Sequence, residues 1–285
     1  MSGSDRNGSS EGAPRACSHG SGAYNSGMAE PLPLSGVVIT LNEVDRIERC
    51  LRSMLAVCRD VVVVDSGSND GTPALARRLG ARVIDQPWLG FGRQKNLAIE
   101  QATQPWVLLL DADEWLEPEA QADLRALFAS SSVDSADIFT LQRRTHFLGS
   151  VMHFGSFARE PVHRLFRAHC RHEDMPVHER FITEGQRVRA STVRMEHDTA
   201  RSADEYWRKL QRYAALWAEE RAARGKRAGL GRGVAAAAAY LLKNLLLRGG
   251  LLDGPGAWRF HALHARYAAL KYEKLRALAN PPPSN

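Results

Sequence analysis

Residues 61–72 read VVVVDSGSNDGT and residues 106–114 read WVLLLDADE. Each opens on a run that is apolar at every position, Val61 to Val64 and Val107 to Leu110, the pattern of a strand covered on both faces. Each run ends in a carboxylate, and a polar turn follows. Working outward, the chain alternates short β-rich runs with helical stretches: GVVIT at 36–40, a helix over 43–56, the VVVVD strand, a helix over 72–79, ARVID at 81–85, a helix over 90–103, then WVLLLD. This alternation predicts an α/β fold with a mostly parallel sheet and flanking helices. The carboxyl ends of the strands line the ligand crevice in such sheets, so the carboxylates at these tips are expected to converge.

A helix over 117–130 leads into DIFTLQRR, VHRLFR and TVRMEH, whose alternation and His/Arg-rich loops predict mixed strands. From Ser202 the pattern becomes helical, with Tyr206, Leu210, Tyr213, Leu216 and Trp217 on one stripe and a capping-box start at Ser202 and Glu205. Helices over 234–248 and 255–279 follow, separated by glycines, and Pro281 begins a terminating Pro-Pro-Pro. Residues 1–34 are Ser/Gly-rich and lack the apolar core of a secretory signal; they read as a disordered leader. The expected organisation is therefore this leader, a catalytic-type α/β region over 35–200 with halves 35–115 and 116–200, and a helical region over 201–280.

Of the 285 residues 44% are apolar and 25% charged, which excludes a collagenous, coiled-coil or wholly disordered chain. Residues 1–140 carry a net charge of −7 and residues 141–285 one of +13. A basic half implies an anionic partner. Cys17, Cys50, Cys58 and Cys170 show no metal-ligand spacing and fit a reducing compartment. The longest apolar run, over 234–242, is too short to span a bilayer.

Asp111 and Asp113, two residues apart at a strand end, suit a divalent cation that bridges to a diphosphate; the alternative is an acidic, solvated turn. Asp65 can accept hydrogen bonds from a base or ribose, and Gly67 and Gly71 allow close backbone approach, while Asp70 or Thr72 can cap the following helix. Thr40, Asn42 and Glu43 end the first strand, where Asn42 fits either a ribose contact or a plain helix cap. Gly90, Gly92, Arg93 and Lys95 open a helix and suit phosphates or a solvent-facing basic turn. Neither a GxGxxG nor a Walker A pattern is present.

The succession ITLNE, VVVVDSGSNDGT, PWLGFGRQKN and WVLLLDADE resembles family 2 glycosyltransferases, whose Rossmann-like fold is called GT-A. GFGRQKN, RLFRAHCRHEDMPVHE and GLLDGPGAWRFHALHARYAALKYEKL resemble, more narrowly, bacterial lipopolysaccharide inner-core enzymes that add glucose to a heptose in β-1,4 linkage. The resemblance spans about residues 35–278. It implies a GT-A domain followed by mixed strands and helices, and a UDP-sugar contacted by Thr40, Asn42, Glu43, Asp65, Gly67, Lys95 and Asp111. It also implies a divalent metal, Mg²⁺ or Mn²⁺, on Asp111, Asp113 and His197, and a general base at Glu179 or Asp174, with Glu179 favoured. Leu41 stands where many relatives stack a Tyr on uracil, and the Gln-x-x-Arg-Trp motif of processive synthases is missing, which points to single-sugar addition.

The expected activity is inverting transfer of a hexose, glucose in the first instance, from a UDP-sugar to a lipopolysaccharide core heptose. A polyprenyl-phosphate or other glycolipid acceptor is the alternative. Residues 201–276 hold 16 Lys/Arg against 6 Asp/Glu, which suits peripheral attachment at the cytoplasmic face of the membrane. A non-catalytic membrane or nucleic-acid module is the remaining class, and the acidic crevice argues against nucleic acid as partner.

Overall fold

The computed structural model describes residues 30–174 and 180–279. Sheet formation starts at Leu32, not Gly36. In β1 (Leu32–Thr40) the alternate residues Leu32 and Leu34 pack into one hydrophobic cluster, so the last part of the expected leader belongs to the sheet. The chain then runs through α1 (Ile47–Leu55), β2 (Cys58–Asp65), α2 (Thr72–Leu79), β3 (Arg82–Asp85), α3 (Phe91–Glu100) and β4 (Trp106–Leu109). These four strands are parallel in the order β3-β2-β1-β4. Their two faces are both covered. Val61 and Val63 of β2 pack with Ile47, Leu51 and Ala76 of α1 and α2, whereas Val62 and Val64 pack with Ala98 and Ile99 of α3. A Cβ on Gly36 would lie 3.0 Å from Met54 Cε, so α1 rests directly on the strand.

The expected helix over 43–56 begins later, at Ile47. The backbone N–H groups of Asn42, Glu43 and Val44 are taken by Ser68 Oγ, Thr72 Oγ1 and Asp70 Oδ2 of the next loop, and Asn42 sits at φ 57°. Asn42 is therefore no helix cap. Its Oδ1 instead accepts the Asn69 N–H, which locks the first two βα loops together.

After β4 come β5 (Glu114–Trp115), α4 (Pro118–Ala129), β6 (Ile138–Phe147), β7 (Ser150–Val151), β8 (Glu160–Arg167) and β9 (Val188–Asp198). β8 runs antiparallel to β4 and β6, while β9 is parallel to β6, which gives the mixed half expected from the sequence. The full order is β3-β2-β1-β4-β8-β6-β9-β5, with β7 beside β6. Two-residue β5 has no periodicity to read, yet its antiparallel pairing with β9 sets Glu114 opposite His197 and Trp115 opposite Glu196.

α5 (Ala203–Ala223) starts as expected, with Ser202 Oγ accepting the Glu205 N–H. Its buried face is Tyr206, Leu210, Ala214 and Ala218, whereas Tyr213 and Leu216 of the expected stripe are exposed. α6 (Arg232–Leu241) continues into a π-helical turn at Leu242–Leu247, then a 3₁₀ turn at Gly250–Asp253, then α7 (Gly254–Ala279). Phe147, Tyr206 and Phe260 form the core of this layer. No single described helix is long and apolar enough to cross a membrane.

Candidate active site at the strand tips

Asp65 ends β2 with only 1% of its surface exposed. Its Oδ1 accepts from the N–H groups of Gly67 and Ser68, and its Oδ2 from the Ser68 hydroxyl at 2.5 Å. The carboxylate organises its own loop. A Cβ on Gly67 would meet no protein atom within 4 Å, so within the chain it is the φ of 96° that calls for glycine here. The N-cap of α2 is Gly71 and carries no side-chain cap bond, so neither Asp70 nor Thr72 takes the expected cap position; Asp70 instead accepts the Thr72 N–H at 3.0 Å and the Val44 N–H at 3.1 Å, tying the helix start to the first loop. Replacing Asp65 by Ala orphans three donors, and the expected loss is about 2 kcal/mol of stability, read as a lower urea midpoint at unchanged slope.

At the tip of β4 the turn Asp111-Ala112-Asp113-Glu114 closes on itself. The Glu114 N–H donates to Asp111 O, and Glu114 Oε2 accepts the Asp111 N–H. Arg164 of β8 then bridges both acids, with Nη2 2.5 Å from Asp111 Oδ2 and 2.7 Å from Glu114 Oε1. Arg143 of β6 reaches Glu114 at 3.2 Å and Glu160 at 2.7 Å, and Lys95 of α3 lies 3.7 Å from Asp111 Oδ1. Burial acts to raise the Asp111 carboxyl, but the charges of Arg164 and Lys95 outweigh it and hold the group far below the usual carboxylate range. Asp111 is thus committed to two cations.

Asp113 faces differently. Its Oδ2 lies 3.5 Å from His197 Nε2 and 3.4 Å from Arg46 Nη1. The His197 contact overcomes the effect of burial and lowers the Asp113 carboxyl. The β5–β9 register is what brings His197 here from 84 positions along the chain. Glu43 pairs with Arg201 at 2.6 Å; Arg201 also holds Asp45 and donates to the carbonyl of Asn42. Thr40 Oγ1, Arg46 Nη2, Arg164 Nε and His197 Nδ1 are buried with no hydrogen-bond partner among the described residues. Asp60 Oδ2, His172 Nδ1 and His261 Nε2 are unpartnered in the same way, so such atoms are not confined to the strand tips.

The expected contacts thus divide into groups. Thr40, Asn42, Glu43, Asp65 and Gly67 belong to the two interlocked first loops, Lys95 and Asp111 form an ion pair beside them, and Asp113 and His197 face each other. Among the described residues no group of three His, Cys, Asp or Glu side chains is arranged as a complete metal cage. The Asp113–His197 pair, with Nε2 of the imidazole turned toward the carboxylate, fits a hard cation that takes its other ligands from phosphate oxygens. Asp174 is exposed and pairs with Arg93 at 2.5 Å in the first turn of α3; Glu179 lies outside the described residues. The sequence reading missed Arg164, Arg46 and Arg201. The one signal for Arg164 was a cation inside the otherwise inward-facing run of VHRLFR.

Glu43 gives the site a group that titrates near neutrality. Burial raises its carboxyl to about 7, against the opposing charges of Arg201 and Arg46. Because the folded-state value lies above the unfolded one, the folded chain binds this proton more tightly. The group's contribution is full below about pH 4.5 and is lost as pH rises through 7. The Glu43→Gln variant should therefore lack the fall in urea stability between pH 5 and roughly 7.5 that the unsubstituted chain shows.

Residues 35–183 match the family model described as glycosyl transferase family 2. A lipopolysaccharide core biosynthesis glycosyltransferase, LpsC of Rhizobium meliloti (strain 1021), is 34% identical over 207 residues, covering 70% of this chain and 76% of that protein. An uncharacterized glycosyltransferase of Rickettsia felis is 44% identical over 101 residues, and the chain spans 36% of its length. Among solved structures, S. aureus TarS 1–349 aligns with a TM-score of 0.41 at 16% identity, covering 65% of each chain. Glucosyl-3-phosphoglycerate synthase from Mycobacterium tuberculosis, in complex with Mn²⁺ and UDP-glucose, aligns with a TM-score of 0.31 at 23% identity, over 41% of this chain and 44% of that one.

Proposed function

The chain belongs to glycosyl transferase family 2, and on that premise we propose that it transfers a hexose, glucose in the first instance, from a UDP-sugar to a heptose of the lipopolysaccharide inner core. The observation that carries the donor half is the pairing of Asp113 with His197 at 3.5 Å beside the cations Lys95 and Arg164, all at the carboxyl edge of the parallel strands. The acceptor half is supported by the likeness to LpsC over most of both chains.

Asp113 and His197 are the residues that would hold Mg²⁺ or Mn²⁺, which supplies positive charge to the leaving diphosphate. In this arrangement Asp111 fixes Lys95 and Arg164 at the crevice edge, where they attract and orient phosphate oxygens. Thr40, Asn42, Glu43, Asp65 and Gly67 shape the wall that receives the uridine. Leu41 is exposed at that wall, so the uracil meets an aliphatic surface there and not an aromatic one. Asp174, whose pairing with Arg93 lowers its carboxyl, and Glu179 are the carboxylates proposed to take the proton from the acceptor hydroxyl. With one base and no enzyme nucleophile, the displacement inverts the anomeric centre and gives a β-linkage from an α-linked donor. The reaction takes place at the cytoplasmic face of the membrane, where the lipid-linked acceptor lies.

The test is transfer from a panel of radiolabelled UDP-hexoses, with Mg²⁺ or Mn²⁺, to heptose-terminated core lipid and to polyprenyl phosphate. The expected product is a β-hexosyl heptose. Labelled polyprenyl phosphate alone would move the assignment to the other acceptor class.

A further inference from the structure

The corner that joins α6 to α7 is built with its polar groups inward and its leucines outward. Asn244 is buried, its Oδ1 accepting the Ser156 hydroxyl at 2.8 Å and its Nδ2 donating to Tyr240 O at 3.0 Å. Asp253 accepts the N–H groups of His153 and Phe154 at 2.8 and 3.1 Å. Arg248 donates from Nη1 to Ser156, and its carbonyl accepts the Gly155 N–H. These bonds clamp the corner to the loop after β7. On the outside, Leu242, Leu246, Leu247, Leu251 and Leu252 are exposed within eleven residues, Leu247 at 76% and Leu252 at 74%, with Trp258 beyond them.

Single exposed leucines need no explanation, but five in one clamped turn form a patch that water disfavours. The charge around it has one sign. Residues 224–266 contain eight Lys/Arg and a single acid, Asp253, which is already occupied by the two backbone donors. Lys243 and Arg248 lie within the corner itself. Apolar side chains flanked by cations are complementary to the boundary between acyl chains and anionic headgroups.

We infer that the Leu242–Leu252 corner is the surface by which the protein docks on an anionic lipid bilayer, its leucines entering the interface and Lys243 and Arg248 meeting the headgroups. The inference deepens the proposed transfer to a lipid-linked acceptor. Vesicle binding is measured with no donor or acceptor present, so either reading can fail alone.

The experiment is co-sedimentation of the full chain with vesicles of phosphatidylglycerol and phosphatidylcholine, and with phosphatidylcholine alone. Binding to the anionic vesicles is expected to be at least about tenfold tighter, and to weaken about tenfold or more in a Leu247→Glu, Leu252→Glu variant whose thermal midpoint and UDP affinity are unchanged. Failure of the unsubstituted chain to sediment with anionic vesicles overturns the inference, as does equal binding by the variant. It is also overturned if sedimentation velocity shows a dimer that the same two substitutions convert to monomer, which would make a second copy the occupant.

Discussion

Replacing Asp113 by Asn is expected to lower sugar transfer by roughly 10²- to 10³-fold while leaving the melting temperature close to that of the unsubstituted chain. The reason lies in what each acid of the Asp111-Ala112-Asp113 turn contacts. Among the described residues the Asp113 carboxylate pairs with Arg46 and His197, at 3.4 and 3.5 Å, distances too long for strong hydrogen bonds. Loss of its charge removes little that holds the fold. It does remove half of the two-donor platform that would carry the cation, and a neutral amide binds a divalent ion poorly. The loss should appear in kcat and in the metal concentration needed for half-maximal rate. A variant that lost stability in proportion to its activity would show that Asp113 is structural instead.

The opposite pattern is expected for Arg164. Its side chain is 8% exposed and is shared between Asp111 and Glu114, the latter fully buried. Substitution by Leu leaves Glu114 with Arg143 at 3.2 Å and the Asp111 N–H at 3.0 Å, and strips Asp111 of its nearest cation. Breaking a buried pair by removing one partner costs about 3–5 kcal/mol, because the remaining charge has neither water nor a partner of equal strength. Urea unfolding should show a loss of that order. Adding Glu114→Gln to Arg164→Leu should recover part of it, since the buried charge is then gone as well. Additive losses in the double variant would mean that the two side chains act independently.

How much of this was readable in the sequence follows the distance over which each feature is specified. The parallel half was legible because VVVVD and WVLLLD declare two-sided burial locally, and because the polar turn after each strand is part of the same short segment. Placement of Asp65, Asp111 and Asp113 at the carboxyl ends of the parallel strands followed from topology. The chemistry of the individual groups did not. Whether Asp65 meets a ligand or its own loop depends on how the backbone of Gly67 and Ser68 turns back on the carboxylate, and nothing in DSGSND distinguishes the two. The pairing of Glu114 with His197 needs a two-residue strand to find its register with β9, a contact between distant segments that carries no periodic signal. Arg164 was hidden for the same reason, since its value arises only when β8 is inserted next to β4. The start of α1 was misplaced because side chains of the following loop capture the backbone donors of residues 42–44. The α6–α7 corner lies largely beyond the apolar run over 234–242, and which way its leucines face is settled by the polar clamp through Asn244 and Asp253.

The central claim is that the crevice at the tips of β1, β2 and β4 is a nucleotide-sugar site whose cation rests on Asp113 and His197. Calorimetric titration of UDP into the full chain, in Mn²⁺ and then in excess chelator, tests it most directly. The account predicts saturable binding in Mn²⁺ that is lost on chelation and is lost equally in Asp113→Asn with Mn²⁺ present. UDP binding that is indifferent to both the chelator and the substitution would contradict it.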